Sequence, residues 1–221
     1  MHVVIAGGHG KIALRLERLL VARGDSVTGL IRRAEQAFDL EALGTRPVVC
    51  DLETIPAEDL AGHLRGADAV VFAAGAGPAS GSGRKDSVDR GAAALLADGA
   101  ELAGIRRYLM ISTMGLDRAG VPGMDEEFSA YLRAKAAAED DLRARALDWT
   151  VLRPGPLTDD AGTGLVRLAQ PPLPLGSVPR DDVAHVLLAL LDAPESAGLT
   201  LELTSGAVFA ADAVRDVLVA R

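Results

Sequence analysis

The chain has 221 residues, 49% of them apolar and 24% charged, which suffices for a real core and excludes a disordered or fibrous chain. Its net charge of −8 argues against a broad nucleic-acid-binding face, and no uninterrupted apolar run is long enough to cross a bilayer. One cysteine, Cys50, excludes an internal disulfide, and the opening lacks the basic stretch, apolar core and cleavage site of a secretory signal, so a cytoplasmic chain is expected.

The first element carries the most information. From His2 the chain reads His-Val-Val-Ile-Ala-Gly-Gly-His-Gly-Lys-Ile-Ala. Apolar residues 3–6 predict a strand, Gly7, Gly8 and Gly10 a tight turn, and 11–22 a helix. Glycines let the backbone approach a phosphate, and the unpaired N–H groups of a helix start bind its charge. Further strands are predicted at 26–31, 47–50, 69–73, 108–112 and 150–153. Helical spacing is found at 34–43, 57–64, 88–102 and 126–147. Short apolar strands alternating with amphipathic helices predict an α/β fold, a doubly wound parallel (Rossmann) sheet covered on both faces. Residues 154–179 are rich in Pro and Gly and read as loops over a cleft. A helix starting near Asp181 or Asp182, a strand at 199–203 and a closing helix ending near Ala220 complete a single domain spanning 1–221. Within it, 154–180 and 198–208 form a small substrate-side region. Residues 75–87 are Gly/Ser-rich and read either as a surface loop or as a lid bringing Arg84 or Lys85 to a phosphate.

Several positions on the ligand-bearing ends of these strands suggest chemistry. Arg32 and Arg33 follow the second strand, where an NAD site places an acid; two guanidiniums suit a 2′-phosphate, which favours NADP(H) over NAD(H). Asp51 and Leu52 follow the third strand, where Asp51 either accepts from the adenine amino group or caps a turn. Ala73, Ala74 and Gly75 end the fourth with small residues, as a cofactor lying across the strand ends requires. Cys50 reads as a buried small hydrophobe, Trp149 as a core residue, and the acidic run 139–141 as a solvated helix face. The four histidines and lone cysteine have no metal-ligand spacing, and no Gly-x-Ser-x-Gly elbow is present. Tyr131 and Lys135 stand four apart in a helix and so share a face. An ammonium beside a phenol favours the phenolate, a proton donor-acceptor for a carbonyl, which Ser112 at the end of the fifth strand polarises.

The glycine turn, Ser112, Tyr131 with Lys135, and Leu-Arg-Pro-Gly-Pro-Leu at 152–157 together resemble the short-chain dehydrogenase/reductases. More narrowly, the chain is similar to the small atypical NAD(P)-binding branch that includes biliverdin/flavin reductase B and NmrA-like proteins, with Ala13 in place of the third glycine. The resemblance implies Gly7, Gly8, His9, Gly10, Lys11 and Ile12 at the pyrophosphate, and Arg32 with Arg33 at the 2′-phosphate. It also implies Asp51 and Leu52 at adenine, Ala73, Ala74 and Gly75 near ribose, and Pro154, Gly155 and Leu157 at the nicotinamide. Ser112 and Lys135 are then both catalytic and cofactor-binding. The expected function is an NADP-dependent reductase of a small carbonyl, quinone or flavin-like acceptor, acting as a monomer or homodimer. The alternatives are a non-catalytic NADP redox sensor acting on a protein partner, and a sugar-nucleotide epimerase or dehydratase, for which the C-terminal part is short.

Overall fold

The computed structural model describes residues 1–75 and 86–220. Among these, strand β1 (His2–Ala6) alternates its side chains between two cores: Val3 and Ile5 join one apolar cluster, Val4 and Ala6 the other. Helix α1 (Lys11–Arg23) packs its Ile12, Ala13, Leu16 and Leu20 stripe into the first cluster. It stops at Gly24, whose φ of 92° and N–H bonds to Leu20 and Val21 form a left-handed cap.

The chain continues through β2 (Ser26–Ile31), α2 (Ala37–Ala42), β3 (Arg46–Val49), α3 (Ala57–Leu64) and β4 (Ala69–Phe72). Then come α4 (Ala92–Leu102), β5 (Arg107–Ile111), α5 (Glu126–Arg143) and β6 (Asp148–Pro154). The last elements are β7 (Leu157–Thr158), β8 (Leu165–Ala169), β9 (Val178–Pro179), α6 (Arg180–Leu191), β10 (Leu199–Ser205), β11 (Val208–Phe209) and α7 (Ala210–Val219). Nine described strands form one sheet in the order β11-β8-β10-β6-β5-β4-β1-β2-β3. Helices α1, α6 and α7 cover one face, and α3, α4 and α5 the other. The strand order reverses beside β1, the topological switch point where the carboxyl ends of β1 and β4 open a crevice. The expected doubly wound Rossmann-type sheet is therefore present.

Four expectations need correction. Residues 154–179 are not loops throughout. β8 pairs antiparallel with β10, β11 pairs antiparallel with β8, and β7 with β9 forms a separate ribbon, so the sheet is parallel except at this edge. Helix α5 ends at Arg143 rather than at 147, because Arg145 turns to Asp98, Glu101 and Asp141 while Leu147 drops into the core. Helix α4 begins at Ala92, and Asp86–Gly91 before it is wound as a wider π-turn. Trp149 is only partly buried, against the second cluster. At the far edge, β3 reads Arg-Pro-Val-Val with Pro47 paired to Gly29, whereas β11 is only two residues long.

Candidate functional site

Two adjoining cavities occupy the crevice at the strand ends. The first, about 280 Å³, is lined by Gly7, His9, Gly10, Arg32, Asp51, Leu52 and Ala73 to Gly75. Leu30, Ile31, Gln36, Cys50, Glu53 and Ala92 complete its lining. The second, about 640 Å³, shares Gly10 and Ala73 to Gly75 and adds Lys11, Ile12, Ser112, Tyr131, Lys135 and Leu157. It also meets Asp89, Ile111, Asp125, Glu127, Phe128 and Arg180.

The glycine turn fits a close ligand. Gly7 has φ +80°, and a Cβ there falls 2.7 Å from Ala74 Cα; at Gly10 it falls 3.0 Å from Gly7 O. The turn hangs on β2, with the Gly7 and Gly8 N–H groups donating to Leu30 O at 3.1 and 2.9 Å. Gly10 caps α1 without a side-chain acceptor, and no acid lies in the first turn, so the helix start is suited to an anion. Gly8 does not line either cavity. Beneath it lies Glu17, fully buried, its Oε1 3.0 Å from a Cβ built at Gly8 and 2.9 Å from one at Gly29. Both Glu17 oxygens and the Thr45 hydroxyl lack a hydrogen bond of good geometry. Burial pushes the Glu17 carboxyl up to about 8, and the neighbouring Thr45 hydroxyl offsets this only in part.

The remaining residues of the first cavity divide by role. Arg32 lines it and stands 3.7 Å from Glu53, whereas Arg33 points to Glu35 at 3.3 Å and joins Gln36 in capping the short helix that precedes α2. The Asp51 side chain accepts from Glu53 N at 3.0 Å, the turn-capping alternative, while still lining the cavity. His9 Nε2 lies 2.6 Å from Asp39 Oδ2. Burial, with Asp51 beside it, pushes the Cys50 thiol up to about 11, so it is a small buried hydrophobe rather than a nucleophile.

The second cavity is built on β5 and α5. Asp125 starts α5 by accepting from Phe128 N at 2.8 Å. One face of that helix then presents Tyr131 and Lys135 to the cavity. Lys135 is buried, its Nζ 3.0 Å from Asp89 Oδ1, 3.3 Å from Ile111 O and 5.9 Å from the centre of the Tyr131 ring. Lys11 and Arg180 meet at Asp159 on the rim, and the Lys11 hydrogen bond, with Arg180 adding to it, holds that carboxyl below its usual range. Pro154 and Gly155 lie behind the cavity. Both are buried, and the Gly155 N–H donates to Leu203 O at 2.9 Å, with Gly176 O against its Cα; Leu157 alone of that group reaches the cleft. Leu165 and Leu173 of the substrate-side region line neither cavity. Arg84, Lys85 and the lid reading of that segment lie outside the described residues, which end at Gly75 and resume at Asp86.

The acidic run also needs correction. Asp140 is exposed, but Glu139 is fully buried. Its carboxylate accepts from Arg153 Nε at 2.9 Å and Nη2 at 2.6 Å, from Arg143 Nη2, and from the Ser112 hydroxyl. Burial would lower the Arg153 guanidinium, but the hydrogen bonds and charge of Glu139 outweigh it. Glu17, Asp89 and Glu139 were not legible as site residues. Their significance rests on burial, and nothing in a run such as Ala-Glu-Asp-Asp announces which acid turns inward. Among the described residues, no three His, Cys, Asp or Glu side chains are grouped to hold a metal ion.

Comparison with known proteins agrees with this geometry. Residues 7–194 match a family described as NAD(P)H-binding. The chain is 35% identical to the uncharacterized sugar epimerase YhfK of Bacillus subtilis, over 97% of this chain and 99% of that one. A solved Bacillus halodurans structure, provisionally named an NAD-dependent epimerase/dehydratase, superposes with a TM-score of 0.89 at 32% identity, over 98% of this chain and 99% of that one. ChuY, an anaerobillin reductase of Escherichia coli O157:H7, superposes with a TM-score of 0.77 at 28% identity, covering 93% and 97%.

Proposed function

The chain belongs to the NAD(P)H-binding family, and from that premise we propose that it is an NADP(H)-dependent reductase of a small carbonyl, quinone or flavin-like acceptor. The observation that carries this reading is that Tyr131 and Lys135 line the same cleft as the glycine turn and the small strand ends. Bound dinucleotide supplies a hydride to the acceptor carbon. The chain's own residues do the rest. Gly7, His9, Gly10, Lys11 and Ile12 border the pyrophosphate with Gly8 packed behind them, Arg32 meets the 2′-phosphate while Arg33 is held by Glu35 outside the cavity, and Asp51 with Leu52 borders adenine. Ala73 to Gly75 leave room for ribose, and Leu157 forms the nicotinamide side with buried Pro154 and Gly155 behind it.

Tyr131 gives its phenolic proton to the carbonyl oxygen, the counterpart of the hydride that a reduced dinucleotide would supply to the carbon in forming an alcohol. Lys135, held by Asp89 and Ile111 O, places its Nζ 5.9 Å from the centre of that ring. Ser112 faces the acceptor. Residues 154–180 and 198–208 form the substrate side of one unit spanning 1–221. The names of the two Bacillus relatives favour a second reading, in which hydride is taken from a sugar alcohol and returned. YhfK is no longer than this chain, so a short C-terminal part does not decide against it.

Calorimetric titration with NADPH, NADP+ and NADH tests the nucleotide. Comparable binding of both phosphorylated forms and weak binding of NADH is expected. A marked preference for one redox state favours the sensor alternative, and failure of all three removes the reading. In an acceptor screen with NADPH, Tyr131→Phe is expected to lower kcat by about a hundredfold or more; unchanged turnover removes the role given to Tyr131.

A further inference from the structure

The bond between Ser112 and Glu139 decides which way the serine proton points. Glu139 sits between the guanidiniums of Arg143 and Arg153, with both oxygens already accepting from them. With both oxygens accepting guanidinium N–H bonds, neither is placed to donate. The hydrogen in the Ser112–Glu139 bond therefore comes from the serine. Serine has one O–H, and here it is committed away from the cleft. What Ser112 Oγ offers the cavity that it lines is a lone pair, made more basic by donation to a carboxylate.

We infer that Glu139 is a positioning residue that turns Ser112 into a hydrogen-bond acceptor, and that the substrate brings a hydroxyl group to it. Ser112 does not polarise the reacting carbonyl, contrary to the expectation from sequence. The carbonyl is left to Tyr131, and the neighbouring hydroxyl is read by Ser112. The substrate class is thus a hydroxy-carbonyl compound or the diol formed from it, rather than a simple ketone or a quinone whose oxygens only accept. This rests on the reductase reading for its chemistry, but the hydrogen-bond polarity of Ser112 is a property of the protein alone.

The test compares cyclohexanone with 2-hydroxycyclohexanone, two probes that differ by one hydroxyl, binding to the full-length protein with and without NADP+. Affinities are read by ligand-observed NMR. The wild type is expected to bind the hydroxylated probe about fivefold tighter or more, the size of one well-placed hydrogen bond. Ser112→Ala leaves Glu139 with both arginines, so it is expected to fold while losing the preference. In Glu139→Gln the amide can donate to Ser112 and free its proton for the cleft, which is expected to bring the ratio to parity or reverse it. If that variant fails to fold, Ser112→Ala alone decides. Equal affinity of the two probes for the wild type, or an unchanged ratio in Ser112→Ala, overturns the inference. Loss of NADP+ binding with the hydroxyl preference intact overturns the nucleotide reading instead, so the two failures are distinguishable.

Discussion

Replacing Glu17 by Gln tests whether a buried, hydrogen-bond-poor acid beneath the glycine turn sets the pH dependence of folding. In the unfolded chain Glu17 releases its proton at about its ordinary value of 4.5, whereas in the fold burial holds the proton until about 8. Between those limits the folded state carries a proton that the unfolded state has lost, so stability falls as pH rises. The contribution is whole below 4.5, declines by about 1.4 kcal/mol for each pH unit, and levels off above 8. Across the interval this amounts to about 5 kcal/mol, and at pH 7 to about 3 kcal/mol. Glutamine fills the same volume and cannot ionise.

Urea unfolding of both proteins at pH 5.5, 7 and 8.5 provides the measurement. The Gln variant brings a buried amide of its own, which offsets its curve by a constant. The informative quantity is therefore the slope. The wild type is expected to lose several kcal/mol more than Glu17→Gln between pH 5.5 and 8.5. Parallel stability curves would falsify the assignment of a retained proton to Glu17.

Other substitutions probe other links. Gly7→Ala forces a Cβ to 2.7 Å from Ala74 Cα at a φ of +80°. It is expected to cost about 1–3 kcal/mol in thermal unfolding and to weaken dinucleotide binding at least tenfold by calorimetry. Arg107, pushed down to about 10 by burial, donates to Asp148 O, Thr150 Oγ1, Leu190 O and Ser196 Oγ. Arg107→Met strands those acceptors and is expected to cost about 3 kcal/mol or more in urea unfolding. Arg32→Glu places an acid at the end of β2 and is expected to reduce the NADPH/NADH affinity ratio by tenfold or more; an unchanged ratio removes Arg32 from the 2′-phosphate.

The alternation of strands and helices was legible because each element carries its own period. Val3–Ala6 is apolar on both sides, α1 has one apolar stripe, and Gly7 between them takes a φ of +80° that other residues rarely adopt. β8 was not legible. Five residues flanked by Pro and Gly satisfy no pattern, and they become a strand only because β10 and β11 pair with them. The site divides in the same way. Tyr131 and Lys135 announce themselves by helical spacing, but Glu139 depends on Arg153 arriving from the next strand. Asp89 likewise depends on Lys135 meeting it from another helix. Buried charge is a property of pairs brought together by the fold, so sequence spacing carries little trace of it.

The two ends of the described sheet bear on how this chain behaves in company. Any open sheet finishes in strands with one row of backbone groups unsatisfied, and a second molecule can add to such a row. At the β3 edge the row is broken by Pro47, which has no N–H, beside charged Arg46. At the β11 edge it is stepped, two residues of β11 before α7 begins and then residues 167–169 of β8. Both ends are poor templates for a further strand. Crowded copies are thereby steered away from edge-to-edge stacking, and any self-association is left to side-chain surfaces on the helices.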